Sequence, residues 1–330
     1  MFMKTAKTLV LLLIFTGLLS VRSVLGQIQI ITGFEKGSYY QMGNDIRSVV
    51  GDIVTFDTVF TTTWDDKDSI VLKKKITPAV EILTSTGSQH NFNRLYKSTT
   101  PMVAFMQYDV LVNEQLKDIK KYAKRTDSIL MLMPLGVEEI HLITLKSSKI
   151  KGLTDLKGKK VAIGSAGQGT AVTANFIKDK TGIEWIPFDL NIKDALPALL
   201  NKNIDAFFFV GSAPVLNLNG LSPTFEQLKL IPVTHPKLTE YYVQSSIPSG
   251  TYHWLKEDVQ TLGVRLLLVS DISKESPKDK EALKRMLTSI KNNIGKLQEK
   301  GHPNWKKVDF NFSDVKWEIH PVAKQVFNLP

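Results

Sequence analysis

The chain has 330 residues, enough for two domains with cores of their own, and its 43% hydrophobic and 22% charged residues exclude disorder as the default state. The absence of cysteine excludes disulfides, thiolate metal sites, a cysteine nucleophile and a lipid-modified N-terminal cysteine. The formal net charge of +10 favours anionic partners only weakly, because the basic residues are scattered, and nucleic acid is not an expected partner.

Residues 1–26 read as a secretory signal peptide. Lys4 and Lys7 precede an apolar run from Leu9 to Leu19 that is too short for a stable membrane span, and Val24-Leu25-Gly26 offers a cleavage site before Gln27. Cleavage there removes Lys4, Lys7 and Arg22 and lowers the charge from +10 to +7. An exported chain with no anchor stays near its cell only behind an outer barrier, so the expected location is a bacterial periplasm.

Gln27 to Thr32 reads as a strand that enters the turn Gly33-Phe34-Glu35-Lys36-Gly37-Ser38. A helix follows from Tyr39, with Ile46, Val49 and Val50 on its apolar face and Ser38 as its expected cap. Tyr39 and Tyr40 stand beside the turn, either as rings and hydroxyls lining a ligand pocket or as a hydrophobic staple to the core. Residues 52–75 break this pattern: the β-branched run from Val54 to Thr63, an acidic turn at Trp64-Asp65-Asp66-Lys67-Asp68 and Ile70-Val71-Leu72 suggest a hairpin excursion. Ile76 to Leu83 reads as the next strand, ending in the hydroxyl-rich turn Thr84-Ser85-Thr86-Gly87-Ser88 before a helix through Phe92 and Leu95. Val103 to Met106 is an apolar strand that ends in Gln107-Tyr108-Asp109-Val110.

Pro134-Leu135-Gly136 followed by Glu138 to Leu145 reads as a crossover strand into a second α/β unit. There Lys159 to Ile163 forms a strand, Gly164-Ser165-Ala166-Gly167-Gln168-Gly169 a tight turn, and Thr170 opens a helix that stops at Gly182. The first N–H groups of such a helix have no intrahelical partner and carry about half a positive charge, so main chain alone can hold a carboxylate or phosphate. The same glycines would also serve simply as the corner of an α/β unit. The turn is not a P-loop, because Thr170 stands where a lysine is required, nor a dinucleotide fingerprint, because Val172 replaces the third small residue.

Further on come Trp185 to Phe188, a helix from Asp194 to Leu200, and the apolar strand Ala206 to Val210 ending in Gly211-Ser212-Ala213-Pro214. Leu230 to Val233 and the Pro248 to Tyr252 turn carry the chain to a strand, Val264 to Val269, that returns to the first unit. Ser276-Pro277 begins an amphipathic helix with Leu283, Met286, Leu287, Ile290, Ile294 and Leu297 on one face and Gly301 after its end. Trp305 to Pro330 reads as a docked cover. Several polar turns at strand ends, each opening a helix, converge on one edge of a parallel sheet and together make a site.

Laid end to end, these turns resemble the TAXI family of solute-binding proteins, the extracytoplasmic receptors of one class of TRAP transporters. Thr32, Gly33, Gly37, Ser38, Tyr39, Tyr40, Met42 and Gly43 follow the family's Thr-Gly-Gly-Thr-Gly-Gly-Thr-Tyr-Tyr-Pro-Leu-Gly pattern, with Phe34, Glu35 and Lys36 replacing its middle. Ser85 to Asn91, Gln107 to Val110, the Leu153 to Val161 run with Gly164 to Thr170, Ile204 to Phe208, Ile247 to Tyr252 and Gly263 to Arg265 match further motifs in order. The resemblance implies an α/β, two-lobed periplasmic-binding-protein fold, each lobe an open, mostly parallel sheet flanked by helices, with hinge strands between. Lobe one is expected to hold residues 27–143 plus 263–330 and lobe two residues 144–262. It implies a small organic acid or amino acid as ligand, glutamate-like or dicarboxylate, and delivery to a TRAP membrane permease driven by an ion gradient. The expected ligand contacts are Gly33, Ser38, Tyr39, Tyr40, Ser88 and Gln107 from lobe one, and Gly167, Gln168, Gly169, Thr170, Ser212 and Tyr252 from lobe two. No cofactor or metal is expected, and the receptor is expected to be a monomer.

The alternatives are a serine hydrolase and a ligand-sensing partner of a signalling receptor. Ser148-Lys149-Ile150-Lys151 satisfies Ser-x-x-Lys and Lys180-Thr181-Gly182 satisfies Lys-Thr-Gly, but no Ser-Asp-Asn lies between them and the second falls at a helix end. The six histidines form no metal-ligand spacing. His141, in an apolar strand, is expected to be a satisfied core residue, and His90 a possible donor to an anion.

Overall fold

The computed structural model describes residues 26–35, 37–62, 68–220 and 223–330. The signal peptide expected over residues 1–26, Lys36 and the tip of the 52–75 excursion therefore lie outside the described residues, apart from Gly26 and Asp68. Twelve strands and eight helices are used below. They are β1 (Ile28–Ile31), α1 (Ser38–Val50), β2 (Asp52–Thr62), β3 (Asp68–Pro78), β4 (Val80–Leu83), α2 (Ser88–Lys97), β5 (Val103–Gln107), α3 (Tyr108–Lys121) and β6 (Ile129–Leu145). After these come β7 (Lys160–Ala162), α4 (Gly169–Thr181), β8 (Ile186–Phe188), α5 (Ile192–Leu200), β9 (Ala206–Gly211), β10 (Leu228–Leu230), β11 (Val243–Ile247), β12 (Val259–Asp271), α6 (Pro277–Asn292), α7 (Ile294–Lys300) and α8 (Pro321–Phe327).

The fold is α/β and two-lobed, organised on one continuous mixed sheet in the order β4-β1-β5-β12-β6-β9-β7-β8. Pairing is parallel toward the two ends, where β1 lies beside β4 and β5, and β7 beside β8 and β9. It is antiparallel at the centre, where β12 pairs with β5 and β6, and β6 with β9. The two central strands are long, 17 residues in β6 and 13 in β12, and each contributes to two hydrophobic cores. Leu132, Met133 and Leu135 of β6 and Leu266 to Val269 of β12 pack in one core with β1, β5 and α6, whereas Ile140 and Leu142 of β6 and Leu262 and Val264 of β12 pack with β7, β9 and α4. The strands are a shared spine, and their side chains divide between the two cores.

Several expected boundaries move. β6 is continuous from Ile129, not a new strand starting at Glu138: Pro134 is opposite Leu267, and the pairing absorbs it by shifting register between Arg265 and Leu267. The excursion is indeed a hairpin, an eleven-residue antiparallel ribbon with Asp52 opposite Pro78 and Thr62 opposite Asp68. It consumes Ile76, so the sheet strand begins at Val80 instead of Ile76. The C-terminal helix opens with a full capping box between Ser276 and Asp279, as the Ser-Pro start suggests, but breaks at Asn293 into α6 and α7. The tail docks as expected, with Trp305 fully buried and the Trp317 indole donating to Ile129 O at 2.7 Å. Among the described residues no helix is long and apolar enough to cross a membrane.

Candidate functional site

Three glycine- and hydroxyl-bearing corners meet where the lobes face each other. The first is the end of β1. Thr32 O accepts from both the Ser85 hydroxyl (3.0 Å) and Asn91 Nδ2 (2.7 Å), and Gly33 O accepts from Ser85 N at 3.1 Å, so the first corner is stitched to the second. The helix after it is capped by Gly37, with Ser38 as its first residue; the backbone is extended at Gly37, and Ser38 makes no capping bond, which corrects the expected cap. The Tyr39 ring stacks on Phe105 (5.3 Å between centroids, 16°) while its hydroxyl donates to Glu138 Oε2 at 2.7 Å, so the residue reaches the core and the polar seam together. The Tyr40 ring is half-buried beside it.

The second corner, Ser85 to Ser88, opens α2. The buried Ser88 hydroxyl accepts from Gln107 N at 2.8 Å, which fixes the end of β5. Gln107 is also buried and its Nε2 donates to Glu138 Oε2 at 2.8 Å, while its Oε1 has no hydrogen-bond partner. His90 turns its Nδ1 back to Thr86, 3.3 Å from the amide and 3.1 Å from the hydroxyl.

The third corner belongs to lobe two. Its helix begins at Gly169 with Gln168 as N-cap, one residue earlier than expected. Gly167 sits at φ +88° and accepts from His90 N at 2.9 Å across the lobes. A Cβ on Gly167 would lie 2.6 Å from Thr86 Oγ1, and one on Gly169 would lie 1.5 Å from Gln107 Oε1. The glycines are therefore required by lobe-to-lobe contact. Gln168 and Thr170, expected as ligand donors, are spent on their own lobe: Gln168 Oε1 accepts from Ser165 N (2.8 Å), and Thr170 Oγ1 from Val210 N (3.1 Å). Thr170→Val strands a buried amide and should cost about 1–3 kcal/mol of stability, to be read from urea unfolding.

Ser212 donates to Val137 O at 3.3 Å on the central strand. Tyr252 is placed otherwise than expected: it is fully buried in the lobe-two core, stacked on Trp254, with its hydroxyl accepting from Val215 N (2.9 Å) and bonded to His141 Nε2 (2.8 Å). His141 is the satisfied core residue the sequence suggested, and burial pushes its pKa down to about 4. Glu35 is exposed.

What the sequence did not mark is acidic. Glu138 of β6 is buried between Tyr39 and Gln107, and burial raises its pKa to about 7. Asp109, in the first turn of α3, accepts from the Thr173 hydroxyl (2.6 Å) and Tyr242 OH (3.0 Å) of lobe two, and burial raises its pKa to about 6. A charged pair in the middle of an otherwise apolar strand, Glu138-Glu139, was the available signal. The corners thus converge as expected but close on one another in direct contact, where an open crevice was expected. Two cavities, of about 20 Å³ beside Gln27 and Met102 and about 410 Å³ in an open groove at Thr234 and Gln244, are lined by other residues. The hydrolase pair does not form: Ser148 Oγ accepts from Ile150 N at 3.2 Å, Lys151 makes no bond to it, and Lys180-Thr181-Gly182 is the end and left-handed cap of α4.

A family model described as the NMT1-like family matches residues 30–307. Among solved structures, a chain from the GshT and TcyBC glutathione import system of Streptococcus mutans is 10% identical, with 88% of this chain and 99% of that one covered and a TM-score of 0.47. MatC from Rhodopseudomonas palustris with bound malate is 12% identical over 92% and 96%, TM-score 0.47. The amino acid ABC transporter substrate-binding protein AbpA from Streptococcus pneumoniae, bound to L-arginine, is 14% identical over 86% and 97%, TM-score 0.39.

Proposed function

The chain belongs to the NMT1-like family, and from that premise we propose that it is an extracytoplasmic solute receptor that closes two lobes around a small amino acid or organic acid. The observation that carries this reading is the contact between corners of opposite lobes, with His90 N donating to Gly167 O and Gly169 pressed on Gln107, on a sheet whose central strands contribute to two cores. Such a layout couples a ligand to shape. A solute that touches both corners only in the closed form shifts the open–closed equilibrium by its differential affinity, and a membrane partner reads the closed shape.

In the finer reading the chain is a TAXI-type receptor, exported to the periplasm by a signal peptide cleaved near Gly26, that works as a monomer and hands its solute to a TRAP permease. Lobe one takes residues 27–143 with 263–330, and lobe two residues 144–262. Binding is assigned to Gly33, Ser38, Tyr39, Tyr40, Ser88, Gln107, Gly167, Gly169 and Ser212 and to the main chain of Gln168 and Thr170, with catalysis assigned to no residue. The test is mass spectrometry of the solute that co-purifies, followed by small-angle scattering of the stripped protein. Adding that solute should reduce the radius of gyration, and an unchanged radius with saturating solute would sink the reading.

A further inference from the structure

Among the described residues, buried carboxylates are paired with cations, with two exceptions. Glu114 and Asp118 are held by Arg125 at 2.7 Å each, Glu139 by Lys307 at 2.7 Å and Asp271 by Lys274 at 3.0 Å. Glu138 and Asp109, buried to the same degree, have no Lys, Arg or His within ion-pair distance among the described residues. Both lie on the seam between lobes, and Asp109 is close enough that its charge acts on Glu138 and on Tyr39. Tyr39 and Gln107 both bond to Glu138 Oε2, while Asp109 Oδ1 and the neighbouring Gln107 Oε1 are buried without any partner.

We propose, building on the receptor reading, that the solute carries a protonated amine, and that Glu138, Gln107 Oε1 and Asp109 form the acceptor side of its site. An unpaired buried carboxylate is expensive, and an unpartnered buried amide oxygen adds to the cost, so a seam with two cation-free carboxylates and two unpartnered acceptor oxygens is complementary to a donor-only group. An ammonium fits that description, with three N–H donors and a positive charge. A dicarboxylate does not, because it brings further acceptors and negative charge to a seam already rich in both. A divalent cation is less well matched, since among the described residues no three acidic, histidine or cysteine side chains gather closely enough to ligate one. Gln107 Oε1 lies against Gly169, so the amine would be held at the contact between the corners of the two lobes.

The experiment compares matched pairs by thermal shift and calorimetry on the stripped protein. One panel holds the L-amino acids with putrescine and cadaverine; the other holds 2-oxo acids and dicarboxylates of the same lengths, with Mg²⁺ and Ca²⁺ as separate additions. Binding is expected only in the amine panel. Glu138→Gln should weaken the best amine at least about 30-fold while melting no lower than wild type, because the amide keeps both hydrogen bonds and removes a buried charge. Asp109→Asn, an independent variant, should weaken it at least about fivefold. A 2-oxo acid or dicarboxylate that binds as tightly as its amino counterpart overturns the proposal and leaves the receptor reading standing. So does competition by Mg²⁺ or Ca²⁺, or wild-type amine affinity in both variants. If neither panel binds nor compacts the protein, the receptor reading falls and takes this proposal with it.

Discussion

Gly169→Val will bind the co-purifying solute at least about 100-fold more weakly than wild type, a loss of about 2.7 kcal/mol, while its unfolding midpoint stays close to that of the unliganded wild type. The backbone at Gly169 has no left-handed φ, so a side chain there is compatible with the first turn of α4 when the lobes are apart. The obstacle is in the other lobe. An added Cβ lies 1.5 Å from Gln107 Oε1 and 2.5 Å from its Cδ, and Gln107 gives way only by abandoning Glu138. Closure is blocked, or it is bought at the cost of a buried hydrogen bond. Gly167 would be a poorer choice, since its φ of +88° makes any side chain strained in both forms. Small-angle scattering should find the variant extended with and without solute. Adding Gln107→Ala to Gly169→Val should restore part of the compaction by making room. If Gly169→Val closes and binds as wild type does, the contact between lobes is not part of the working cycle.

Much of this arrangement could be read from local chemistry. The glycine and hydroxyl corners stand out because a strand's apolar run, a small-residue turn and a helical period follow one another within a short stretch, as at Lys160–Thr181 and Val80–Lys97. The Lys-Thr-Gly at the end of α4 and the core role of His141 were legible for the same reason. What was hidden depends on partners far away in the chain. Tyr39 meets Glu138 and Asp109 meets Tyr242 across long sequence separations, and the Gln107-Tyr108-Asp109-Val110 turn marks a strand end without showing what Asp109 faces. Thr170 reads as a donor at a helix start, yet its hydroxyl is taken by Val210 N of a strand forty residues on. Tyr252 lies in a turn that matches a family motif, but its neighbours Trp254 and His141 draw it into the core. Glu138 is masked by its surroundings: the apolar run of β6 defines the strand and gives the charge within it no visible partner. The anion site expected from helix N-termini alone thus acquires an acidic counterpart once the fold brings β6, α3 and α4 together.

The unliganded protein should be most closed in mild acid and should open as pH rises through about 7. Burial raises Glu138 from 4.5 to about 7 and Asp109 from 3.8 to about 6. The groups facing Glu138 are Tyr39 from α1, Gln107 from β5, Glu139 beside it and Asp109 from α3, while Thr173 and Tyr242 face Asp109 from lobe two. None of them is a cation. A raised carboxylate pKa means that the buried form holds a proton that the hydrated form has lost. The closed state therefore binds more protons between pH 4 and 7, and its stability falls with rising pH across that window. At about 1.4 kcal/mol per unit, the whole Glu138 shift from a free carboxylate is worth on the order of 3 kcal/mol. Tyr39 and Gln107 belong to its own lobe, so opening releases only the part of the burial that lobe two supplies. His141 works in the opposite sense on global stability, since its pKa is lowered to about 4 and the folded state loses ground as pH falls below 6.5. It is fully buried and bonded to Tyr252, so its titration acts on unfolding. Distance between dyes on the two lobes isolates closure from unfolding: wild type should lengthen between pH 5 and 8, and Glu138→Gln with Asp109→Asn should not. The amine-bearing solute reverses the trend, because its charge favours ionised Glu138. Its affinity should rise from pH 6 to 8, with a proton released on binding that calorimetry in buffers of different ionisation enthalpy can count. A solute whose affinity instead falls over that range, with protons taken up, would mean that the seam receives an acid.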